Sequence, residues 1–418
     1  MTPLKGFRLH IGLFGRRNVG KSSLLNALTR QESSIVSNHA GTTTDPVEKP
    51  MELLPIGPVL FIDTAGIDDL GSLGELRVKK TVQVFDRTEI GLILVDTTLG
   101  WSGYEERILA ELEKRDVPRI VVFNKTDLAP VPNDLREKLD AAKIPWTVAV
   151  ASEKKGVTQI REKLIQTVPD EFLQPPPIVS DLVPPGEIAI LVVPIDKEAP
   201  KGRLILPQVQ TIRDLLDGDR YCVVVKDDKL ADALARLNRP PALVVTDSQA
   251  FAQVDAVVPK SIPMTSFSVL FARQKGEFTE MVAGARAIAG LTPQSRILIA
   301  ESCAHHPITE DIGTVKIPNA LRKYLGGPPE IKNVQGHDFP TDSLADWDLV
   351  IHCGACLWNR REMLSRILRC RDAGVPITNY GLAIALMLGI LDRAVEPLNE
   401  AGANLFNQAS KQDNGDES

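Results

Sequence analysis

The chain has 418 residues, of which 43% are hydrophobic and 24% are charged, and its formal net charge is −6. This length exceeds one ordinary hydrophobic core and predicts several domains. The negative charge and the lack of long basic runs argue against a large nucleic-acid interface. The longest apolar run, residues 381–391, is shorter than the roughly 20 residues that a membrane span needs, and the N-terminal apolar stretch lacks a signal-peptide cleavage site. We therefore expect a cytoplasmic protein with no membrane or nucleic-acid partner.

A phosphate-binding loop opens the chain: residues 15–22 read Gly-Arg-Arg-Asn-Val-Gly-Lys-Ser. A strand-like apolar segment precedes this GxxxxGK[ST] motif and a helical pattern follows it, which is the context that the motif requires. Backbone N–H groups of the loop and helix N-terminus would hold the phosphates, Lys21 would neutralise them, and Ser22 would bind Mg²⁺. The predicted contacts are Gly15, Asn18, Val19, Gly20, Lys21, Ser22 and Ser23.

Two further motifs complete a guanine-nucleotide site. Asp63 ends an apolar strand, as an acid near the magnesium requires, and three residues later the N–H of Gly66 can meet a γ-phosphate. Asn124, Lys125 and Asp127 follow the strand-like segment 119–123. A carboxylate at Asp127 can accept hydrogen bonds from both N1 and the exocyclic amine of guanine, a donor pattern that adenine lacks. The sequence therefore predicts GTP as the nucleotide.

These motifs resemble the translation-factor-like GTPases, above all those of tRNA modification and ribosome assembly. The resemblance implies that Thr43 is the switch residue that reaches Mg²⁺, with Thr42 and Thr44 as substitutes. It also implies that Asn18 holds a K⁺ ion that assists catalysis, although Asn18 can equally serve only to turn the loop. Ile67 stands where Ras-like enzymes have the glutamine that orients water, so we expect slow intrinsic GTP hydrolysis with Lys21, Asn18 and Thr43 as the catalytic residues.

The pair Ala151-Ser152 lies where this class of GTPases has a Ser-Ala pair beside the base, in inverted order.

Proline-rich stretches at 174–177 and 183–186 indicate a stiff linker over 169–186. Beyond it, strand and helix patterns alternate from 187 to 246, which predicts a small parallel sheet. No catalytic set is visible in this middle region, so we assign it to self-association. The pattern from 267 to 291 then predicts one long amphipathic helix.

The C-terminal region carries two runs of metal-binding residue types. Cys303, His305 and His306 follow the strand-like segment 296–300, and His352, Cys353 and Cys356 follow the segment 348–351. A third strand pattern, 375–378, ends at Asn379 and Tyr380. Thiolate and imidazole are the ligands of zinc, other soft metals and iron–sulfur clusters. Because ligands bind beyond the carboxyl ends of parallel strands, we expect these runs to converge on one crevice.

The order of regions along the chain resembles the HydF family, the GTPase that matures [FeFe]-hydrogenase. A GTPase region comes first, a middle region follows, and a Cys-x-His run is then separated by a long gap from His-Cys-x-x-Cys. The resemblance implies a [4Fe–4S] cluster bound by Cys303, Cys353 and Cys356, with His305 or His352 as a candidate fourth ligand. It implies delivery of a diiron precursor, made with the radical-SAM maturases HydE and HydG, to the apo-hydrogenase. A homodimer or larger homo-oligomer is expected.

The predicted fold class is α/β with three domains: a Ras-like P-loop GTPase domain at 1–168, a small α/β dimerisation domain at 187–265, and an α/β cluster-binding domain at 266–400, followed by a polar tail at 401–418. Two alternatives remain. The cysteines could form a structural zinc site on a regulatory GTPase of the tRNA-modification or ribosome-assembly type, or they could be buried hydrophobes without a ligand.

Overall fold

The computed structural model describes residues 6, 8–29, 46–64, 74–173, 175–195, 202–302, 311–340 and 343–399. Its contacts divide the chain into two compact units, Met1–Pro175 and Pro176–Ser418. Within the described residues, every helix is too short or too polar to cross a lipid bilayer.

The first unit is built on a six-stranded sheet with the order β2-β3-β1-β4-β5-β6. Only β2 is antiparallel to its neighbour, and the parallel pairs place the carboxyl ends of the other strands at one edge. The strands are β1 (Leu9–Phe14), β2 (Val47–Leu53), β3 (Gly57–Asp63), β4 (Ile90–Asp96), β5 (Arg119–Asn124) and β6 (Trp146–Ala149).

Helices cover both faces of this sheet, which explains why β1 and β4 are buried along their whole length. One hydrophobic core contains residues of the first and fifth helices, and a second contains residues of the second, third and fourth. The helices are α1 (Lys21–Thr29), α2 (Gly74–Arg87), α3 (Gly103–Lys114), α4 (Asn133–Ala141), α5 (Val157–Thr167) and the single turn α6 (Asp170–Leu173). The predicted P-loop nucleotide-binding fold of this region is confirmed.

The second unit contains two four-stranded parallel sheets. The first has the order β10-β9-β7-β8, and its alternation of strands and helices is the one that the sequence predicts. Its elements are β7 (Ile188–Val192), α7 (Leu206–Asp217), β8 (Tyr221–Val225), α8 (Leu230–Arg236), β9 (Leu243–Thr246), α9 (Phe251–Val257) and β10 (Met264–Ser266).

The other sheet of this unit has the order β12-β11-β13-β14, and all its strand pairs are parallel. The carboxyl ends of β11, β13 and β14 therefore meet at one edge, as expected from the sequence. The elements are α10 (Phe267–Lys275), α11 (Phe278–Ala287), β11 (Arg296–Glu301), α12 (Ile317–Leu325), β12 (Glu330–Gln335), β13 (Leu349–His352), α13 (Arg360–Asp372), β14 (Ile377–Asn379) and α14 (Tyr380–Met387). A last helix spans 391–399.

One hydrophobic core contains residues of both sheets of the second unit. Within the range 169–186, which the composition assigns to a linker, Ile178, Val179 and Val183 are buried in this core. Arg273 of α10 fixes the same segment through an ion pair with Asp181 at 2.8 Å.

The single long helix expected over 267–291 is wrong, because the chain forms α10 and α11 with a break between them. Gly276 has an extended backbone with φ −121° and ψ −167°, so the helical hydrogen bonds stop there. Glycine has a low helix propensity, and this position was the available signal for the break.

Candidate functional sites

The phosphate-binding loop joins β1 to α1, and its backbone has the sharp turns that the motif needs. Asn18 and Gly20 both have positive φ angles, 60° and 98°. A Cβ atom at Gly20 would lie 2.3 Å from Nδ2 of Asn124, so only glycine fits there. The Lys21 ammonium donates to the carbonyl oxygens of Gly15 and Arg16 at 2.6 and 2.9 Å. Lys21 is thereby held over the mouth of the loop, where a nucleotide phosphate would lie.

Ser22 and Asp63, the residues expected near magnesium, contact each other. The Ser22 hydroxyl donates to Oδ2 of Asp63 at 3.3 Å, whereas Oδ1 of Asp63 is buried and lacks a hydrogen-bond partner among the described residues. Burial raises the pKa of Asp63 to about 6, against the opposing effects of Lys21, Ser22 and Lys49. A buried carboxylate oxygen without a partner fits a hydrated Mg²⁺, because the ion would supply the missing positive charge.

Asn124 connects the loops around the predicted guanine site. Its Nδ2 donates to the Val19 carbonyl at 2.8 Å, and its Oδ1 accepts from the Ala151 N–H at 3.0 Å. Lys125 donates to the Asn18 carbonyl at 3.1 Å and pairs with Asp96 at 2.5 Å. These bonds bring four separate segments together at the carboxyl ends of the strands.

Asp127, the predicted acceptor of the guanine hydrogen bonds, is exposed at the carboxyl end of β5. Ser23 is also exposed, in the first turn of α1. Both positions leave the polar side chains accessible to a ligand.

Several predicted site residues lie outside the described residues: Thr43 and Gly66 of the nucleotide site, and Cys303 and His305 of the cysteine site. Their roles remain predictions. Among the residues that are described, no group of three or more His, Cys, Asp or Glu side chains is arranged to hold a metal ion.

The two cysteine-bearing segments nevertheless meet. Cys353 follows β13 directly, and its Sγ accepts a hydrogen bond from the backbone N–H of Ser302 at 3.1 Å. The Ser302 hydroxyl lies 3.2 Å from the same sulfur. Because Ser302 directly precedes Cys303 in the chain, the two segments are neighbours at the edge of the sheet although they lie about 50 positions apart in sequence.

Cys353 and Cys356 are partly buried free thiols on the loop that follows β13. Burial is the main cause that raises the pKa of Cys356, and the neighbouring Cys353 raises it further. A soft metal ion would remove this penalty, because it stabilises the thiolate form.

His352 is fully buried at the end of β13. Its Nδ1 lies 2.7 Å from the Cys353 carbonyl oxygen, to which it donates, and its Nε2 accepts from Arg366 at 2.8 Å. Burial and the Arg366 charge lower the pKa of His352 to about 3. The ring is therefore neutral, and both of its nitrogens are engaged by protein groups.

A cavity of about 280 Å³ lies beside the two cysteines. Its second-sheet wall includes Cys353, Cys356, Glu301 and Tyr380. The Tyr380 hydroxyl donates to Glu301 at 3.0 Å, and burial together with nearby negative groups raises the pKa of Tyr380 well above its ordinary value. The wall that carries the two thiols thus also carries the hydrogen-bonded side chains of Tyr380 and Glu301.

The first sheet of the second unit supplies the opposite wall of this cavity, which the sequence analysis missed. Ile205 and Pro207 come from the start of α7, and Asp247 and Ser248 follow β9. These residues carry no recognisable motif. The only available signal was their position just beyond strand ends in a parallel sheet, where ligands bind.

Three family models match the chain. The hydrogen maturase F dimerization domain matches residues 178–276, and the hydrogen maturase F tetramerization domain matches residues 279–397. These two models together span more than half of the chain. The chain belongs to the HydF family. The third model, described as a 50S ribosome-binding GTPase, matches residues 10–125, which places the HydF regions behind a GTPase domain.

The curated relatives named MnmE and Der match the GTPase domain of this HydF chain. A tRNA modification GTPase MnmE from Synechococcus is 37% identical over 169 residues, which are 40% of this chain and 35% of the relative. A GTPase Der from Wolinella succinogenes is 33% identical over 167 residues, 38% of this chain and 35% of the relative. The chain thus spans about a third of the length of these relatives.

A solved structure of Era from Aquifex aeolicus bound to GDP.AlF4− is 20% identical and covers 52% of this chain and 91% of the other, with a TM-score of 0.35.

Proposed function

We propose that this HydF chain is a GTP-hydrolysing carrier that binds a [4Fe–4S] cluster through Cys303, Cys353 and Cys356. The observation that carries the proposal is the pair of contacts between Ser302 and the Cys353 sulfur. N–H bonds to sulfur are also a common feature of cluster sites, where they tune the reduction potential. A thiol on the residue after Ser302 is close enough in sequence to join Cys353 and Cys356 around one inorganic core.

Three thiolates leave one iron of such a cluster without a cysteine ligand, and this open position would allow a metal fragment to attach. The cavity beside Cys353 and Cys356 would accommodate that fragment. In line with the family, we propose that the fragment is the diiron precursor of the hydrogenase, that HydE and HydG take part in its synthesis, and that the apo-hydrogenase receives it.

We propose His305 rather than His352 as the protein ligand of the fourth iron. Both ring nitrogens of His352 are occupied by Arg366 and the Cys353 carbonyl, so ligation would break one of these buried bonds. His352 instead orients the first residue of the cysteine loop.

Metal analysis and electron paramagnetic resonance (EPR) of the anaerobically reconstituted protein test the cluster. We expect bound iron and sulfide and the EPR signal of a reduced [4Fe–4S] cluster in the unaltered protein. Cys353→Ser should lose them, whereas the control Cys222→Ser, at a partly buried cysteine of β8, should retain them. A colourless protein that binds zinc in place of iron would instead support the regulatory GTPase with a structural zinc site.

The nucleotide site supports GTP binding and hydrolysis, with Mg²⁺ near Ser22 and Asp63. We propose slow intrinsic hydrolysis because Ile67 cannot orient water, and stimulation by K⁺ held near Asn18. Asn18→Gly separates the two roles of this residue, because glycine keeps the left-handed backbone and removes the amide. If the GTPase rates of this variant in K⁺ and Na⁺ buffers are equal, the result supports the role of Asn18 in holding K⁺. An unchanged rate difference supports a role of Asn18 only in turning the loop.

We propose that the chain forms a homodimer or a larger homo-oligomer in the cytoplasm, which the names of the two matched HydF domains support. Light scattering on the purified protein tests this proposal, and a monomer at micromolar concentration would contradict it.

We propose that the nucleotide state, sensed at the predicted switch residues Thr43 and Gly66, is coupled to delivery of the fragment. A Lys21→Ala protein that cannot bind GTP yet activates hydrogenase normally would refute this coupling.

A further inference from the structure

Lys275 ends α10, and its side chain lies beneath the loop that carries Cys353 and Cys356. Only 7% of the residue is exposed. Its ammonium lies 3.2 Å from the Ala355 carbonyl oxygen and 3.5 Å from that of Cys356, and it also donates to the carbonyl of Trp358. One buried cation therefore holds three carbonyl groups of the same short loop.

The loop conformation depends on this arrangement. Ala355 is fully buried and has a φ angle of 48°, which a non-glycine residue adopts only at a cost. Burial of a lysine is also unfavourable unless its charge and its protons are matched. The three carbonyl groups match the Lys275 protons, and the strained backbone of Ala355 at the same loop indicates a function beyond simple packing, because the surrounding structure must compensate for the strain.

We propose that Lys275 is a positioning residue that fixes the Cys353–Cys356 loop and supplies the buried countercharge for the thiolate-bound cluster. This inference rests on the proposed function. Three thiolates outweigh the positive charge of an oxidised cluster core, and reduction adds one further negative charge. A fixed cation nearby stabilises the reduced form more than the oxidised form, so Lys275 raises the reduction potential of the cluster.

Redox titration followed by EPR, on the anaerobically reconstituted full-length protein, tests this inference. Lys275→Gln keeps a hydrogen-bond donor and removes the charge, Lys275→Met removes both, and Lys275→Arg keeps the charge. We expect the Gln and Met variants to disfavour reduction about tenfold, a shift of about 59 mV to more negative potential for one electron. The Arg variant should remain near the unaltered protein. Lys260→Gln is the control, because it removes an exposed lysine that pairs with Asp255.

Iron retention gives a second measurement of the positioning role. We expect Lys275→Met, which leaves the loop carbonyls without a donor, to lose iron to a chelator faster than Lys275→Gln. If Lys275→Met does not fold, the comparison of the Gln and Arg variants still decides the role of the charge.

The outcomes separate the two proposals. If the unaltered protein takes up no iron and sulfide, the proposed function fails. If it holds the cluster and the Gln variant has an unchanged potential, the cluster stands and the role of Lys275 as countercharge is refuted.

Discussion

The buried imidazole of His352 makes a quantitative prediction about stability and pH. Its pKa falls from an ordinary value of 6.5 to about 3 in the folded protein, so between these values the unfolded chain binds a proton that the folded chain does not. The contribution of His352 to the free energy of unfolding is therefore fully present above pH 6.5 and is lost as the pH falls toward 3. Each pH unit corresponds to about 1.4 kcal/mol, which predicts a loss of about 2 kcal/mol from His352 between pH 7 and pH 5.

Urea denaturation of the metal-free protein at pH 7 and pH 5 measures this loss. The second unit can be followed selectively by the fluorescence of Trp347 and Trp358 after Trp101 and Trp146 of the first unit are replaced by phenylalanine. The pH dependence of the unfolding free energy assigned to His352 is the difference between this protein and the same protein carrying His352→Gln, in which position 352 has no imidazole to titrate.

The variant His352→Gln is expected to be less stable at pH 7, because the Cys353 carbonyl loses its donor, and to show a smaller loss between pH 7 and pH 5. The control His337→Gln removes a partly exposed histidine of the same unit and should retain the loss of unfolding free energy between pH 7 and pH 5. An identical pH dependence with and without His352 would refute the reasoning.

Three further predictions concern single substitutions. Asp63→Asn should stabilise the nucleotide-free first unit by up to about 3 kcal/mol at pH 8 and not at pH 4. The pKa of Asp63 is raised from 3.8 to about 6 in the folded protein, so the stability of this unit is lost as the pH rises from 3.8 through 6. Urea denaturation at both pH values measures the stabilisation, and equal effects at the two pH values would contradict the prediction. Gly284→Ala should lower the free energy of unfolding by about 1–3 kcal/mol, because its Cβ would lie 2.0 Å from the Ile377 carbonyl oxygen. The control Gly290→Ala should leave it unchanged, because a Cβ there meets no atom within 4 Å. Lys21→Ala should abolish GTP binding in calorimetry and leave the iron content unchanged.

The nucleotide site was predictable because short contiguous runs encode it. Residues 15–22, Asp63 and residues 124–127 each lie at or just beyond the carboxyl end of a strand, and parallel strands bring such runs to one edge of the sheet. The structure places Asn124 in contact with both Val19 and Ala151, which agrees with the predicted neighbourhood. The sequence could not predict that Lys21 contacts the loop carbonyls, because this depends on the side-chain conformation.

The cysteine site was predictable only in part. The convergence of two segments on one sheet edge follows from the strand patterns, and Ser302 lies against Cys353 as a result. The positions of Arg366, Lys275 and Ser248 beside this site were not predictable, because each comes from a separate element and carries no motif. Their placement depends on the packing of helices and on the core that the two sheets share.

Iron content of the anaerobically reconstituted protein with and without Cys303→Ser is the most direct test of the central claim, because Cys303 is the thiol that unites the two segments. We predict about four irons per chain in the unaltered protein, the content of one [4Fe–4S] cluster, and loss of most of this iron in Cys303→Ser with an unchanged GTPase rate. Full retention of the cluster in Cys303→Ser would contradict the claim that both segments bind one cluster.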